Sequence, residues 1–423
     1  MLNTAKPFLI CVAALFACLP TRLHAQATLL LEEPYSYDGT FAGTGHSAVY
    51  LSRVCAEFAT VLRRCQPREN GVVISRYHGI AGRDWIAVPL IPYLYAVNTA
   101  EEIPLFADEK LVKFLRHNYL ESIGIRDSAA YELAGSAYDR TTYGFRIATR
   151  PEQDDELIRI LNSSPNSESY EVIKRNCADF AKQIINFYYP KAIHRSIIAD
   201  LGIMTPKQSA KALVRTGKHH PELQLTTFII PQVPGLKRSK PVHGIIESVV
   251  LAKKYVTPVL LFHPLVVGTV ETAYWAGWRF SPAKGALIFD AGDPLKGLEP
   301  PLTGAERHSY ERSLAALKRE DAEPRSPNWR KLAAQAEPQL DLDGQPFLRM
   351  EVEGRDVRLG LSRSNAVRLT ASPELVQDLM FARLDEELKH AKPAHASVQQ
   401  VQSDWQLLEW AAKARQSALT AHR

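Results

Sequence analysis

The chain has no glycine-rich phosphate-binding motif, no internal repeat and no strong excess of charge, and each absence removes a class of function. Its 22 glycines are scattered, so a nucleotide-binding loop is not indicated. Lysine and arginine total 51 against 46 acids, a formal net charge of +5 in 423 residues. That balance is too small to point to nucleic acid or, by itself, to an anionic membrane. Cysteine is scarce, at five residues. His219, His220 and His243 lie close in sequence, but adjacent histidines point apart and no ligand set of suitable spacing follows. No metal and no cofactor are therefore expected. Asp341 and Asp343 precede Gly344 as in a calcium loop, yet Val352 stands where the twelfth-position glutamate belongs, so this reading is discarded too.

Long apolar runs are also few. The first follows Lys6, extends from Phe8 to Leu19 and leads to small residues around Ala25 and Ala27, the pattern of a secretory signal over 1–25. It is short for a bilayer span, which favours cleavage. The expected location is thus across the inner membrane, periplasmic or membrane-associated. Removing Lys6 and Arg22 lowers the net charge from +5 to +3. Processing leaves Cys55, Cys65 and Cys177, an odd number in an oxidising compartment. Cys55 and Cys65 are close enough in sequence to close a small loop, which leaves Cys177 as the unpaired thiol.

Around Cys177 the residues Phe180, Ala181, Ile184, Ile185, Phe187 and Tyr188 recur at helical spacing, and Pro190 ends the pattern. Asn176 is a suitable N-cap, with Asp179 placed to complete a capping box. Cys177 then occupies the first helical position, where free N–H groups and the helix dipole favour an anion. A thiol there is expected to lose its proton more easily than a free cysteine, and the same N–H groups suit an oxyanion. The competing reading is a small residue packed at a helix start.

Two β-rich runs, 41–53 and 71–78, flank the Cys55 to Cys65 loop and read as an antiparallel pair. If Arg53 pairs with Gly71, His46 lies opposite His78 on one face. Two histidines at one end of a strand pair suit a cysteine site, one imidazole taking the thiol proton while a second polar group orients the ring. Each histidine alone also reads as an ordinary hydrogen-bonded strand-end residue.

Gly45-His46-Ser47-Ala48-Val49-Tyr50 on an early strand, followed by Asn176-Cys177-Ala178-Asp179-Phe180 at a helix start, resembles the circularly permuted NlpC/P60 group of papain-like proteins. Lecithin:retinol acyltransferase-like and PPPDE-type proteins belong to that group. The resemblance spans roughly 36–190. It implies Cys177 as nucleophile, His46 as base and a third polar residue on the neighbouring strand, for which His78 is the candidate. This chain differs in the long interval between histidine strand and cysteine helix, and in the cysteine-bearing loop after the first strand.

The expected fold is α+β. A permuted papain-like domain, an antiparallel sheet packed on the nucleophile helix, occupies 26–217. Its other elements are a strand-rich segment at 84–97, helices near 108–120 and 151–161, a strand within 137–147 and a helix starting at Thr205-Pro206. Asp154 and Asp155 are read as dipole partners of a helix first turn, not as a metal or acid/base pair. The span 218–299 is read as a linker followed by an apolar helical segment at 256–278. Its end carries Tyr274, Trp275 and Trp278, like a membrane segment with interfacial aromatics, although His263 and Glu271 lie inside it. Two readings are expected equally, a buried or bilayer-apposed helical hairpin and a span of the bilayer. The region 300–423 is charged and mostly helical, with a β-hairpin in which Leu348, Met350 and Val352 alternate with charged residues.

The functional expectation is an envelope-associated cysteine hydrolase or acyltransferase, a papain-like thiol hydrolase with a Cys177–His46 site. Its substrate would be a peptide or lipid acyl group of the cell envelope, with a membrane contact through 256–278. Nothing in the sequence indicates nucleic acid or sets an oligomeric state. The rival expectation is a non-catalytic envelope binding protein with a degenerate papain-like domain.

Overall fold

The computed structural model describes residues 25–35, 44–104, 107–125, 128–167, 169–196, 198–233, 235–251, 280–289, 297–309 and 335–360 except 353, with single positions between 265 and 275 and at 311–312. The expected signal over 1–25 lies outside them but for Ala25. So do most of the 256–278 segment and the helices expected after 360.

Strand alternation sorts the apolar residues onto two faces of one sheet. In β1 (Ala25–Glu32) and β2 (His46–Leu51), Ala27, Leu29, Leu31, Val49 and Leu51 point one way, and Leu30, Ala48 and Tyr50 the other. Both sets are buried, so the sheet is covered on both sides. β1 is absent from the expected strands, because a strand buried on both faces reads as a continuous run, Leu29-Leu30-Leu31, without period.

The sheet has eight strands, in the order β10-β9-β8-β7-β1-β2-β5-β6. The remaining members are β5 (Val72–Ser75), β6 (Ile86–Pro89), β7 (Thr142–Thr149), β8 (Thr226–Ile230), β9 (Leu287–Phe289) and β10 (Leu298–Glu299). All neighbours are antiparallel except β8 and β9. The expected boundary after 217 is corrected here, since β8, β9 and β10 pair onward from β7 and continue the same sheet. Between β2 and β5 the chain makes a hairpin of β3 (Val54–Phe58) and β4 (Val61–Arg64). A disulfide joins Cys55 to Cys65 at its base, with Cα atoms 4.9 Å apart.

One face carries α1 (Leu90–Tyr95), α2 (Glu109–Ser122) and α3 (Ser136–Asp139). The small sheet of β11 (Glu337–Leu340), β12 (Pro346–Val352) and β13 (Arg355–Gly360) joins that layer through Leu348, Met350 and Val357. The expected hairpin thus exists, with one side in the core. The segment expected to be strand-rich turns helical after Pro89, with Pro92 in the first turn of α1, where its missing N–H costs nothing.

The opposite face is covered by α4 (Pro151–Ser163), α5 (Cys177–Tyr188) and α6 (Pro206–His219). α5 packs on β2, β1 and β5. Among the described residues no helix is long and apolar enough to cross a membrane.

Candidate functional site

The site begins with the cap of α5. Asn176 has extended backbone and accepts from Asp179 N at 3.0 Å. Its amide also donates to Val172 O and Met204 O, both at 2.9 Å, so the side chain ties the helix start to two loops. Asp179 does not reach back to close the expected capping box. Its Oδ1 pairs with Arg195, and its Oδ2 has no hydrogen-bond partner among the described residues.

Cys177 is buried and is the free cysteine of the described residues. Its thiol lies within reach of the backbone N–H groups of Ser47, Ala178 and Cys177 itself, which all pull its pKa down. Burial outweighs them, and with the Glu32 carboxylate it pushes the thiol up to about 11. The expectation of an easily ionised thiol is corrected: the helix start acts in the anticipated direction, but desolvation of a thiolate at this depth is larger.

His46 opens β2, just after Gly45, whose φ of +68° and closeness to the Glu32 carbonyl leave no room for a side chain. Its Nε2 lies 2.8 Å from Ser75 Oγ, and Ser75 Oγ lies 2.8 Å from Ser47 O. Ser75 has one proton, and a carbonyl can only accept. The network therefore assigns Ser75 O–H to Ser47 O and Nε2–H to Ser75, leaving the Nδ1 lone pair as the basic site. The ring stacks on Tyr77, centroids 5.1 Å apart. Burial, aided by the positive Arg140, lowers His46 to about 3, so the imidazole is neutral at ordinary pH.

His78 is not beside His46. The observed pairs are Leu51↔Val72, Tyr50↔Val73 and Val49↔Ile74, one residue away from the expected register. Continued outward, that register sets Tyr77 opposite His46 and turns His78 out, where it is exposed and meets the edge of the Tyr170 ring at 5.3 Å. Gly71 helps hold the register: at φ +78° its Cα passes so close to Leu51 O that a Cβ would stand 2.2 Å away. A slip of one residue exchanges the faces of every side chain, which is how the predicted third member is lost.

The same alternation decides how Cys177 meets His46. α5 covers the face of Val49 and Leu51, whereas Ala48 and Tyr50, the expected partners of Phe180 and Ile184, belong to the other face with the His46 ring. Among the described residues no hydrogen bond joins the Cys177 thiol to the His46 imidazole. The two are brought together at the strand end instead, the sulfur at the N–H of Ser47, one peptide unit past His46.

Sequence reasoning misses Ser75 and Ser47. Ser75 is signalled only as the polar end of the run Val72-Val73-Ile74-Ser75, two positions from Val73 and so on its face. Ser47 is fully buried, and its hydroxyl has no hydrogen-bond partner among the described residues. Beyond it, Arg76 pairs with Asp84 at 2.6 Å, and Ser169 donates to the same carboxylate. The one cluster of metal-type donors among the described residues, Cys55, Cys65 and Glu69, has both sulfurs committed to the disulfide.

Comparison with protein-family models, curated proteins and solved structures finds no match to this chain.

Proposed function

We propose that the chain is a cysteine hydrolase or acyltransferase of the cell envelope, with a site arranged like that of the permuted NlpC/P60 papain-like proteins. The carrying observation is the strand end where Cys177 meets the Ser47 N–H beside a His46 whose Nε2–H is anchored by Ser75. Ser75 takes the orienting role for which His78 was the sequence candidate.

Cys177 Sγ attacks the carbonyl carbon of an amide or ester. His46 Nδ1 takes the thiol proton, and the developing oxyanion is met by N–H groups at the start of α5 and at Ser47. His46 then returns the proton to the leaving amine or alcohol, leaving a thioester on Cys177. Water, or an acceptor amine or hydroxyl, attacks that thioester and releases the thiol. A neutral thiol and a neutral imidazole mean that the proton moves during attack, not before it. Nδ1 must come within hydrogen-bond reach of Sγ for this, a closure that substrate binding has to supply. The Cys55–Cys65 disulfide supports an oxidising compartment, in keeping with the leader pattern. Substrates of that compartment are peptide amides and lipid acyl esters.

The test is acyl capture. Incubation with a p-nitrophenyl acyl ester or a peptide amide, followed by mass analysis of the tryptic peptide 176–182, is expected to show an acyl group on Cys177. His46→Ala lowers its formation by roughly 10²–10⁴-fold, and Ser75→Ala lowers it less. The second reading, a non-catalytic binding module, is favoured by the depth of the thiol and the missing Cys177–His46 hydrogen bond. Absence of acyl on Cys177 with either substrate class would establish it over the first.

A further inference from the structure

Beside the Cys177 helix start stands a tight turn that turn chemistry does not explain. Glu171 and Arg175 close it with backbone hydrogen bonds of 3.2 and 2.9 Å. Its tip holds Val172, 60% exposed, and Ile173, 57% exposed. β-branched apolar residues are poor choices for a turn tip, where Gly, Asn, Asp and Pro serve the backbone better. The turn is also firmly held. Asn176, the cap of α5, donates to Val172 O at 2.9 Å, and Arg195 reaches Ile173 O at 3.5 Å.

Arg195 links this turn to a second one, donating to Gly202 O at 3.0 Å while pairing with Asp179 of α5. On that second turn Ile198 is 58% exposed. Two cations, Lys174 and Arg175, are exposed at the tip and form no ion pair among the described residues. Against the second turn packs α7 (Ile245–Leu251), with Ile246 N donating to Asp200 at 3.2 Å. The sequence that follows α7 is the apolar stretch 256–278, whose Leu265 and Trp275 are themselves exposed. Exposed apolar side chains and two exposed cations thus stand at the turns beside the Cys177 helix start, and the apolar run 256–278 follows α7 in the sequence. An apolar tip followed directly by Lys174 and Arg175, with Glu171 as the acid of the same turn, suits interfacial insertion into an anionic bilayer.

We infer that the Val172 and Ile173 tip docks on an anionic lipid surface, placing the Cys177 helix start at the membrane interface. The docking stands on the surface alone. Its consequence for substrate rests on the proposed thiol chemistry: the acyl donor is a lipid or a lipid-linked ester drawn from the bilayer, not a soluble peptide.

Flotation of the chain beginning at Gln26 with vesicles of phosphatidylglycerol and phosphatidylcholine tests the docking. The double variant Val172→Ser, Ile173→Ser is expected to lower vesicle partition by about tenfold or more. Lys174→Glu with Arg175→Glu is expected to lower it on phosphatidylglycerol vesicles by roughly tenfold and to leave phosphatidylcholine binding unchanged. Because a membrane contact is also expected of 256–278, hydrogen exchange supplies a local readout: the amides of 171–175 gain protection when vesicles are added. Phe58, exposed on the β3–β4 hairpin beyond the opposite end of β2, is the control, and Phe58→Ser leaves partition unchanged. Cys177→Ala floats like the wild type, so a catalytic failure and a docking failure are separable. Unchanged partition and unprotected 171–175 amides in the presence of vesicles would overturn the inference. So would a tip variant that alters only the oligomeric state in light scattering, which would make the tip a contact between copies.

Discussion

The resting state of Cys177 is the most exacting point to test, because helix-start electrostatics and burial pull in opposite directions there. The thiol moves from its ordinary 9.0 to about 11. At pH 7 the thiolate fraction is then about one in ten thousand, against about one in a hundred for the unfolded chain. Alkylation by iodoacetamide, followed on the tryptic peptide 176–182, is therefore expected to be about a hundredfold slower in the native chain than in denaturant. The native rate should climb about tenfold per pH unit without a plateau below pH 10. The same shift enters folding stability with a definite sign. As pH rises past 9 the unfolded thiol ionises first, so the contribution is intact below pH 9 and lost by about pH 11. Its size is about 3 kcal/mol, the two pH units converted at 1.36 kcal/mol each. In denaturant melts from pH 8 to 11 the stability of the wild type relative to Cys177→Ala should therefore fall by about 3 kcal/mol. Native alkylation at pH 7 that matches or exceeds the denatured rate would refute the reasoning. It would mean that a thiolate–imidazolium pair is already formed.

Two further outcomes follow from the frame of the site. Gly45→Ala would place a Cβ 2.0 Å from Glu32 O and force a shift of the β1–β2 end, costing roughly 2–3 kcal/mol in a chemical melt and lowering Cys177 acylation through the displaced His46. The Cys55–Cys65 bridge closes a loop of sequence separation 10, so replacing both cysteines by serine is expected to cost about 3 kcal/mol of stability. Acylation at Cys177 should survive that change at temperatures well below the transition, and its loss there would place the hairpin in the catalytic machinery.

Much of the local structure was legible because its causes are local. The spacing from Phe180 to Tyr188 with Asn176 before it marks α5, and its observed bounds are Cys177–Tyr188. Pro206 after Thr205 marks α6, and alternation around Gly354 marks the β12–β13 hairpin. Reciprocal caps were less legible. Thr205 accepts from Gln208 N at 3.3 Å, but the Gln208 amide goes to Ala199 O at 2.8 Å, just as Asp179 goes to Arg195. In both cases the reciprocal half of the cap is not made, and Asp179 Oδ2 and Gln208 Oε1 have no hydrogen-bond partner among the described residues.

By itself the sequence determined an unpaired Cys177 at a capped helix start and a His46 at a strand start, because residue type, capping and spacing act within a few positions. Only the tertiary structure decided how they meet. The β2–β5 register depends on an intervening hairpin and on the close passage of Gly71 by Leu51, neither visible in periodicity, and its one-residue difference sets Ser75, not His78, at hydrogen-bond distance from His46. The extension of the sheet past 217 depends on β8 finding β7, a pairing of residues 80 to 88 positions apart that no local signal encodes. The protonation of Cys177 was decided last, since a helix start favours the thiolate at any depth, whereas the desolvation opposing it exists only once α5 is buried on the sheet.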